Sequence, residues 1–339
     1  MNSSSAPARP DARAGVRPPF DPELERLLAE RRYLSVSLLP RHIDRLRQAQ
    51  ASDEARLSDD ALRRGGGVAF EEITIPSSDA GVGMPLLVLR PAGPSRPRPA
   101  VCFFHGGGMV AGDNRTGIEV PLDWVEQLGL VVVSVGYRLA PEHPHPVPVE
   151  DCYAALGWLS AHRNTCGIDG GPLMLAGVSA GGGLAAGVAL LSRDRRGPEI
   201  SDQILMCPML DDIGNFHSSG ELDGVGVWDA RSNSTGWEAL LGSARGTSEV
   251  PVYAAPSRER NLAGLPASYL DVGAVETFRD EVIDFGARLA QAAVSTELHV
   301  WAGAFHGFDV LAAGSAVANA ARATRIDYLR RRLRGRKPA

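Results

Sequence analysis

The stretch Gly177-Val178-Ser179-Ala180-Gly181 decides the fold of this chain. Residues 172–176 before it are hydrophobic and predict a short buried strand, and residues 182–191 after it are rich in Ala and Gly and predict a helix. A serine at a sharp strand-to-helix turn needs neighbours without bulky side chains, which glycines two positions away provide. The stretch therefore predicts a nucleophile elbow. A glycine-rich turn with an incidental serine can have the same sequence, so further motifs have to support this interpretation.

A second motif, His105-Gly106-Gly107-Gly108, follows a predicted apolar strand at residues 99–104. Glycines leave the backbone amides free to point at a developing oxyanion, since no Cβ atom obstructs the substrate. We predict that the amides of Gly107, Gly108 and Ala180 form an oxyanion hole. We interpret the histidine, His105, as a structural residue that holds this loop, because a catalytic base is expected after the serine in this order of elements.

A third motif supplies a candidate general base. His306 lies in a loop of glycine and phenylalanine that follows a predicted strand at residues 298–301. A histidine late in the chain can reach the serine hydroxyl from a neighbouring strand end. His299 and His217 are the alternatives. His299 alternates with apolar residues in the strand and His217 lies in a polar segment, so either fits a surface position.

The acid that would orient the histidine is expected near the end of a predicted strand at residues 267–273. A carboxylate in the loop after this strand can accept a hydrogen bond from the imidazole and stabilise its charged form. Four carboxylates compete for this role: Asp271, Glu276, Asp280 and Glu281. The positions of Asp280 and Glu281 also suit the start of a helix, where negative charge is favoured.

Together these motifs resemble the hormone-sensitive lipase family of α/β-hydrolase esterases, over about residues 70–330. The resemblance also includes Tyr137-Arg138-Leu139-Ala140-Pro141-Glu142, Arg279-Asp280-Glu281 and His306-Gly307-Phe308. In that family the acid is usually an aspartate three residues before the Arg-Asp-Glu triplet, and Glu276 stands there in this chain. The resemblance therefore implies a triad of Ser179, Glu276 and His306, with Asp280 as the alternative acid. Val178 also departs from the family, which commonly has aspartate at that position.

The order of elements predicts an α/β fold of the α/β-hydrolase type, with a mostly parallel central sheet flanked by helices and a helical cap. Alternating residues 68–75 and 84–90 predict an opening antiparallel pair, and residues 130–135 predict a strand buried on both faces. The expected organisation is a disordered leader at 1–19, N-terminal cap helices at 20–65, a catalytic domain at 66–335 and a cap insertion at 209–262.

Apolar side chains near the glycine loop and within the insertion are candidates for the substrate pocket. Met109 follows the glycine loop directly, and Met209 and Trp237 lie within the insertion, which also contains Trp228 and Phe216. We predict substrate contact for Met109, Met209 and Trp237. Packing in the core explains such residues equally well.

Composition limits the function classes. A net charge of −5 gives no general attraction to nucleic acid, and a hydrophobic fraction of 44% suffices for one large core. The apolar runs are shorter than the roughly 20 residues that a membrane span requires, and residues 1–19 lack the apolar core of a secretory signal. A cytoplasmic location is therefore expected. The four cysteines lack the spacing of a metal site and are expected to be buried free thiols, so neither a metal nor an organic cofactor is predicted.

The predicted function is a serine carboxylic-ester hydrolase that acts through an acyl-enzyme on a small-molecule ester with a short to medium acyl chain. A biosynthetic acyltransferase, a deacetylase or a lactonase would use the same intermediate. A non-catalytic small-molecule receptor is the alternative from another class, and the presence of His306 argues against it. The resemblance also allows a homodimer, since members of the family often pair through an edge strand or the last helix.

Overall fold

The computed structural model describes residues 17–334 except 53–55, 80, 95–96, 169–170 and 172. Its eight strands are β1 Val68–Pro76, β2 Gly83–Pro91, β3 Ala100–Phe104, β4 Val131–Val135, β5 Leu173–Val178, β6 Ile200–Met206, β7 Ala267–Gly273 and β8 Thr296–Trp301. They form one sheet in the order β1-β2-β4-β3-β5-β6-β7-β8. The strand β2 is antiparallel to both β1 and β4, and all other neighbours are parallel.

The α-helices in the described part of the chain are α1 Pro22–Glu30, α2 Ile43–Gln50, α3 Asp59–Arg63, α4 Glu119–Leu128, α5 Val147–Ala161, α6 Arg163–Cys166, α7 Ala180–Arg195, α8 Ala230–Leu241, α9 Arg279–Gln291, α10 Phe308–Leu311 and α11 Ala316–Arg334. Within these described residues, no helix combines the length and the apolar composition that crossing a bilayer requires.

Helices cover both faces of the sheet, so its strands are buried on both sides. Along β3, Cys102 and Phe104 join the core under α5, α7 and α9, whereas Val101 and Phe103 join the core under α4 and α11. Side chains of a strand alternate between the faces, so an apolar run without polar interruptions covers both layers. This arrangement confirms the predicted α/β-hydrolase class.

The strand predictions agree with the structure to within about two residues at most ends. Residues 68–75 and 84–90 form the antiparallel pair β1 and β2, and residues 130–135 correspond to β4. The predicted elbow strand continues two residues further, to Val178. The predicted leader at 1–19 lies outside the described residues except for 17–19.

The site is positioned by the carboxyl ends of four parallel strands. The glycine loop follows β3, the elbow follows β5, the acid loop follows β7 and the histidine loop follows β8. Carboxyl ends of parallel strands lie at the same edge of a sheet, which is where ligands bind in such folds. Loops far apart in the sequence therefore meet at one place.

Candidate active site

Ser179 occupies a strained turn between β5 and α7. Its backbone has φ 57° and ψ −121°, a conformation that residues with side chains rarely adopt. A Cβ atom built on Gly177 would lie 2.0 Å from the carbonyl oxygen of Gly181, and one built on Gly181 would lie 2.0 Å from that of Phe104. Both flanking glycines are therefore required by close backbone approach, as the sequence predicts.

A chain of hydrogen bonds joins the three predicted side chains. The hydroxyl of Ser179 donates to Nε2 of His306 over 2.9 Å, and Nδ1–H of His306 donates to Oε1 of Glu276 over 2.9 Å. The second oxygen of Glu276 accepts the amide of Gly273 at 2.8 Å. These assignments of the imidazole protons follow from the partners, since a carboxylate can only accept. The arrangement suits transfer of the serine proton to the imidazole.

The site is largely shielded from solvent. Ser179 is 5% exposed, His306 8% and Glu276 1%. The ring of Phe278 meets the imidazole of His306 edge-on, with the centroids 5.2 Å apart. Low dielectric around these groups strengthens the hydrogen bonds that hold them.

The other three candidate carboxylates have different partners. Asp280 accepts the amide of Ser218 at 2.9 Å and pairs with Arg279, and these interactions lower its pKa. Asp271 pairs with the buried Arg325 at 2.7 Å. Glu281 accepts the amide of Leu210 at 2.7 Å, and burial raises its pKa well above the ordinary value. Of the four, the structure joins Glu276 to His306.

The alternative histidines also have other partners. Nε2 of His299, on β8, lies 3.1 Å from a carboxylate oxygen of Glu297. Nε2 of His217 lies 3.2 Å from a carboxylate oxygen of Glu221, and its side chain is 41% exposed. Among these three histidines the hydrogen bond to Ser179 belongs to His306.

The glycine loop presents two backbone amides next to the elbow. Gly107 and Gly108 have φ 112° and 63°, and in the part of the chain described their amides donate to no protein acceptor. The carbonyl of Gly107 accepts the amides of Val110 and Ala111, which closes the loop. Ala180 opens α7, where a helix has no internal acceptor for its first amides. The three predicted donors are thus free for a ligand.

His105 is a structural neighbour of this loop. Its Nδ1–H donates to the carbonyl of Gly106 at 2.7 Å, and its ring stacks on Tyr137 with the centroids 4.1 Å apart. The hydroxyl of Tyr137 donates to the carbonyl of His105 at 2.8 Å. Complete burial lowers the pKa of His105 to about 4, so the ring is neutral near pH 7.

Arg47, on α2, also holds the loop, a role that the sequence does not predict. Its guanidinium donates to the carbonyls of Val110 at 2.6 Å and Ala140 at 2.7 Å, and it forms a two-pronged ion pair with Glu142 at 2.8 Å. The amide of Ala140 in turn donates to the carbonyl of Met109. Arg47 is 63 to 95 residues from these partners, and no local sequence pattern signals the contact.

The apolar candidates fall into two groups. Met109 and Met209 are buried next to the elbow helix α7. A Cβ atom built on Gly183 of α7 would lie 3.9 Å from Cε of Met109 and 2.1 Å from the carbonyl oxygen of Met209. Trp237 is packed into the core with no exposed surface. Trp228, which the sequence places among the apolar side chains of the insertion without predicting substrate contact, lies against the glycine loop.

One group of side chains in the described residues has the geometry of a cation site. Ligand atoms of Cys207, Glu276 and His306 lie within 4.8 Å of one another. Burial raises the pKa of the Cys207 thiol well above its usual value, so a metal ion would have to displace its proton. Glu276 and His306 are already joined by their mutual hydrogen bond.

Comparison with known proteins identifies the family of the chain. Residues 101–310 match the family described as the alpha/beta hydrolase fold. This match covers more than half of the chain, which therefore belongs to that family of hydrolases.

Individual relatives narrow the class. Esterase LipI of Mycobacterium tuberculosis (strain ATCC 25618 / H37Rv) is 37% identical over 210 residues, which span 62% of this chain and 65% of LipI, a little under two thirds of its length. The hormone-sensitive lipase of Ictidomys tridecemlineatus is 42% identical over 101 residues, 30% of this chain and 13% of that protein. The solved structure of a bacterial heroin esterase superposes with a TM-score of 0.84 at 34% identity, covering 92% of this chain and 97% of the other. These matches confirm the resemblance to the hormone-sensitive lipase family.

Proposed function

We propose that this protein is a serine carboxylesterase that hydrolyses a small-molecule ester. The observation that carries the proposal is the unbroken hydrogen-bonded chain from the hydroxyl of Ser179 through His306 to Glu276. Free amides of the glycine loop adjoin it, and the similarity to several esterases supports the same conclusion.

In the first half-reaction, Oγ of Ser179 attacks the ester carbonyl carbon while Nε2 of His306 takes its proton. Negative charge then develops on the carbonyl oxygen, where the amides of Gly107, Gly108 and Ala180 can donate to it. When the carbon–alkoxy bond breaks, His306 returns the proton to the leaving alcohol. The acyl group remains on Ser179.

In the second half-reaction, water attacks the acyl carbon and gives a proton to His306. The bond to Oγ of Ser179 breaks, the serine oxygen takes the proton back, and the free acid departs. Glu276 keeps Nδ1 protonated throughout and stabilises the imidazolium in each half-reaction. No step in this scheme needs a group outside the chain except the ester and water.

We also propose that the N-terminal segment, 20–65, and the insertion, 209–262, form one cap over a catalytic domain at 66–335. The amide of Leu38 donates to the hydroxyl of Ser232, and the hydroxyl of Thr235 donates to the carbonyl of Leu38, both over 2.8 Å. The hydroxyl of Ser37 donates to Asp229. These bonds support a joint unit because they connect the two segments directly.

We further propose a reducing, cytoplasmic location. All four cysteines are buried as free thiols: Cys102, Cys152, Cys166 and Cys207. Proteins of reducing compartments keep their thiols in this form, which supports the proposal.

The test of the function is turnover of p-nitrophenyl acetate and p-nitrophenyl butyrate by the wild type and by Ser179→Ala. We expect the wild type to hydrolyse both, and Ser179→Ala to lose about 10⁶-fold in kcat because the nucleophile is gone. Ser192→Ala, in α7 and away from the turn, serves as the control and should keep wild-type activity. A folded Ser179→Ala variant with wild-type turnover would overturn the proposal.

A further inference from the structure

Trp228 lies against one of the predicted oxyanion donors. A Cβ atom built on Gly108 would be 2.0 Å from Cη2 and 2.6 Å from Cζ2 of the Trp228 ring. The indole therefore touches the Cα atom of Gly108 and takes the space beside its amide. An ester carbonyl that accepts a hydrogen bond from that amide would bind close to this ring.

The backbone of Trp228 is anchored on both sides. Its carbonyl accepts the hydroxyl of Thr277 at 2.8 Å, and Thr277 is the neighbour of Glu276. The next residue, Asp229, caps α8 and accepts the amide of Gly224 at 2.9 Å. Trp228 itself has φ 57°, a strained conformation for a bulky residue that persists only when surrounding contacts enforce it. The ring is thus held across the site, from the acid loop to the glycine loop.

The neighbours of the indole leave little free space around it. A Cβ atom on Gly236 of α8 would be 3.3 Å from Cζ2 of Trp228, 2.9 Å from the carbonyl oxygen of Gly108 and 3.5 Å from Cε of Met209. Glycine is unusual inside a helix. At Gly236 the missing side chain lets the Trp228 ring and the glycine loop both pack against α8. Nε1 of Trp228 is buried and has no acceptor among the described residues, so a bound ligand can supply one.

We propose that Trp228 is a specificity-determining residue that restricts the site to esters with short acyl chains, acetyl to butyryl. This inference rests on the proposed esterase function and adds a substrate class to it. The indole fills the space against Gly108, beside a predicted oxyanion donor, and Ser179 is only 5% exposed, so we infer that little room remains there for a longer acyl chain. Removing the ring should open this direction, because a pocket rejects added methylenes only where atoms already fill the space.

The test compares kcat/KM for p-nitrophenyl acetate, butyrate and octanoate in the wild type, Trp228→Ala and Trp228→Phe. We expect the wild-type value to fall about tenfold or more from butyrate to octanoate. Trp228→Ala should raise the octanoate-to-acetate ratio about tenfold, and Trp228→Phe, which keeps a ring and loses the N–H, should raise it less. The control is Trp158→Ala on α5, whose ring stacks on His162, and it should leave the ratio at the wild-type value.

A further measurement keeps the inference separable from the proposed function. Alkylboronic acids of one to eight carbons, titrated by calorimetry, report the preferred chain length without turnover. A shift of that preference to longer chains in Trp228→Ala would support the inference even if no ester were hydrolysed. An unchanged chain-length preference in folded Trp228→Ala, by either method, would overturn it. If Trp228→Ala does not fold, Trp228→Leu replaces it with the same expectations.

Discussion

The sheet edge and the proposed cap side of the candidate site are built in different ways. At the sheet edge, Ser179, Glu276 and His306 lie in the loops that follow β5, β7 and β8, so the register of neighbouring strands helps to set their separation. On the cap side, Arg47 and Trp228 come from segments whose positions depend on hydrogen bonds between residues far apart in the sequence. The comparison indicates that the core of the fold positions the proposed reacting groups, whereas contacts between segments far apart in the sequence position the proposed cap side.

This difference has an energetic consequence. Disturbing the sheet edge removes a group that bears or stabilises charge in the transition state, which costs orders of magnitude in rate. A substitution on the cap side leaves the serine, the histidine and the acid in place and changes only what surrounds them. Its effect on the rate should therefore be smaller and should depend on the substrate.

Glu276→Gln should reduce kcat by about 10⁴-fold, because an amide can favour the wrong imidazole tautomer and does not stabilise the imidazolium. The matched control is Asp280→Asn, four residues along the chain. Asp280 bonds to Ser218 and Arg279, so its loss should cost about 1 kcal/mol of stability and leave most of the turnover intact. Both variants are to be assayed with p-nitrophenyl acetate and checked by thermal unfolding. A dead Asp280→Asn beside an active Glu276→Gln would place the acid at position 280.

His105 should make the fold sensitive to acid. Its pKa is about 4 in the folded chain and about 6.5 in the unfolded chain, so the unfolded state takes up the proton first as pH falls. The free energy of unfolding should therefore drop by about 3 kcal/mol between pH 6.5 and 4 through this group alone. Chemical unfolding of the wild type and His105→Gln across this range measures the difference. Parallel pH profiles for the two proteins would contradict the prediction.

Arg47→Met should lower kcat/KM by about tenfold, a loss comparable to one charged hydrogen bond at the loop. The change frees the carbonyls of Val110 and Ala140 from their guanidinium partner, and the glycine loop can then shift. Arg45→Met, an exposed position on the same helix, is the control and should retain wild-type kinetics. The loss should appear in kcat and in the affinity for a trifluoromethyl ketone more than in KM. Equal kinetics for the two variants would show that Arg47 does not hold the glycine loop in its active position.

The same contrast separates what the sequence could predict from what it could not. Gly177, Gly181 and Gly107 stand at positions where the approach of backbone atoms leaves no room for a side chain, so the local sequence encodes the elbow and its loop. Sequence spacing alone does not distinguish Glu276 from Asp280 as the triad acid, because the two residues are only four positions apart. The family resemblance selects Glu276. The roles of Arg47 and Trp228 depend on partners about 50 to 120 residues away, and no periodicity or spacing records such contacts.

The most direct test of the central claim is covalent labelling with diethyl p-nitrophenyl phosphate, followed by intact-mass measurement and peptide mapping. The phosphorus is attacked by an activated serine and releases p-nitrophenol, so the reagent reports the nucleophile without any assumption about the natural ester. We predict one diethyl phosphoryl group per chain, located on Ser179, and a loss of labelling in Ser179→Ala. An unlabelled folded protein, or a label on another residue with Ser179 unmodified, would contradict the account.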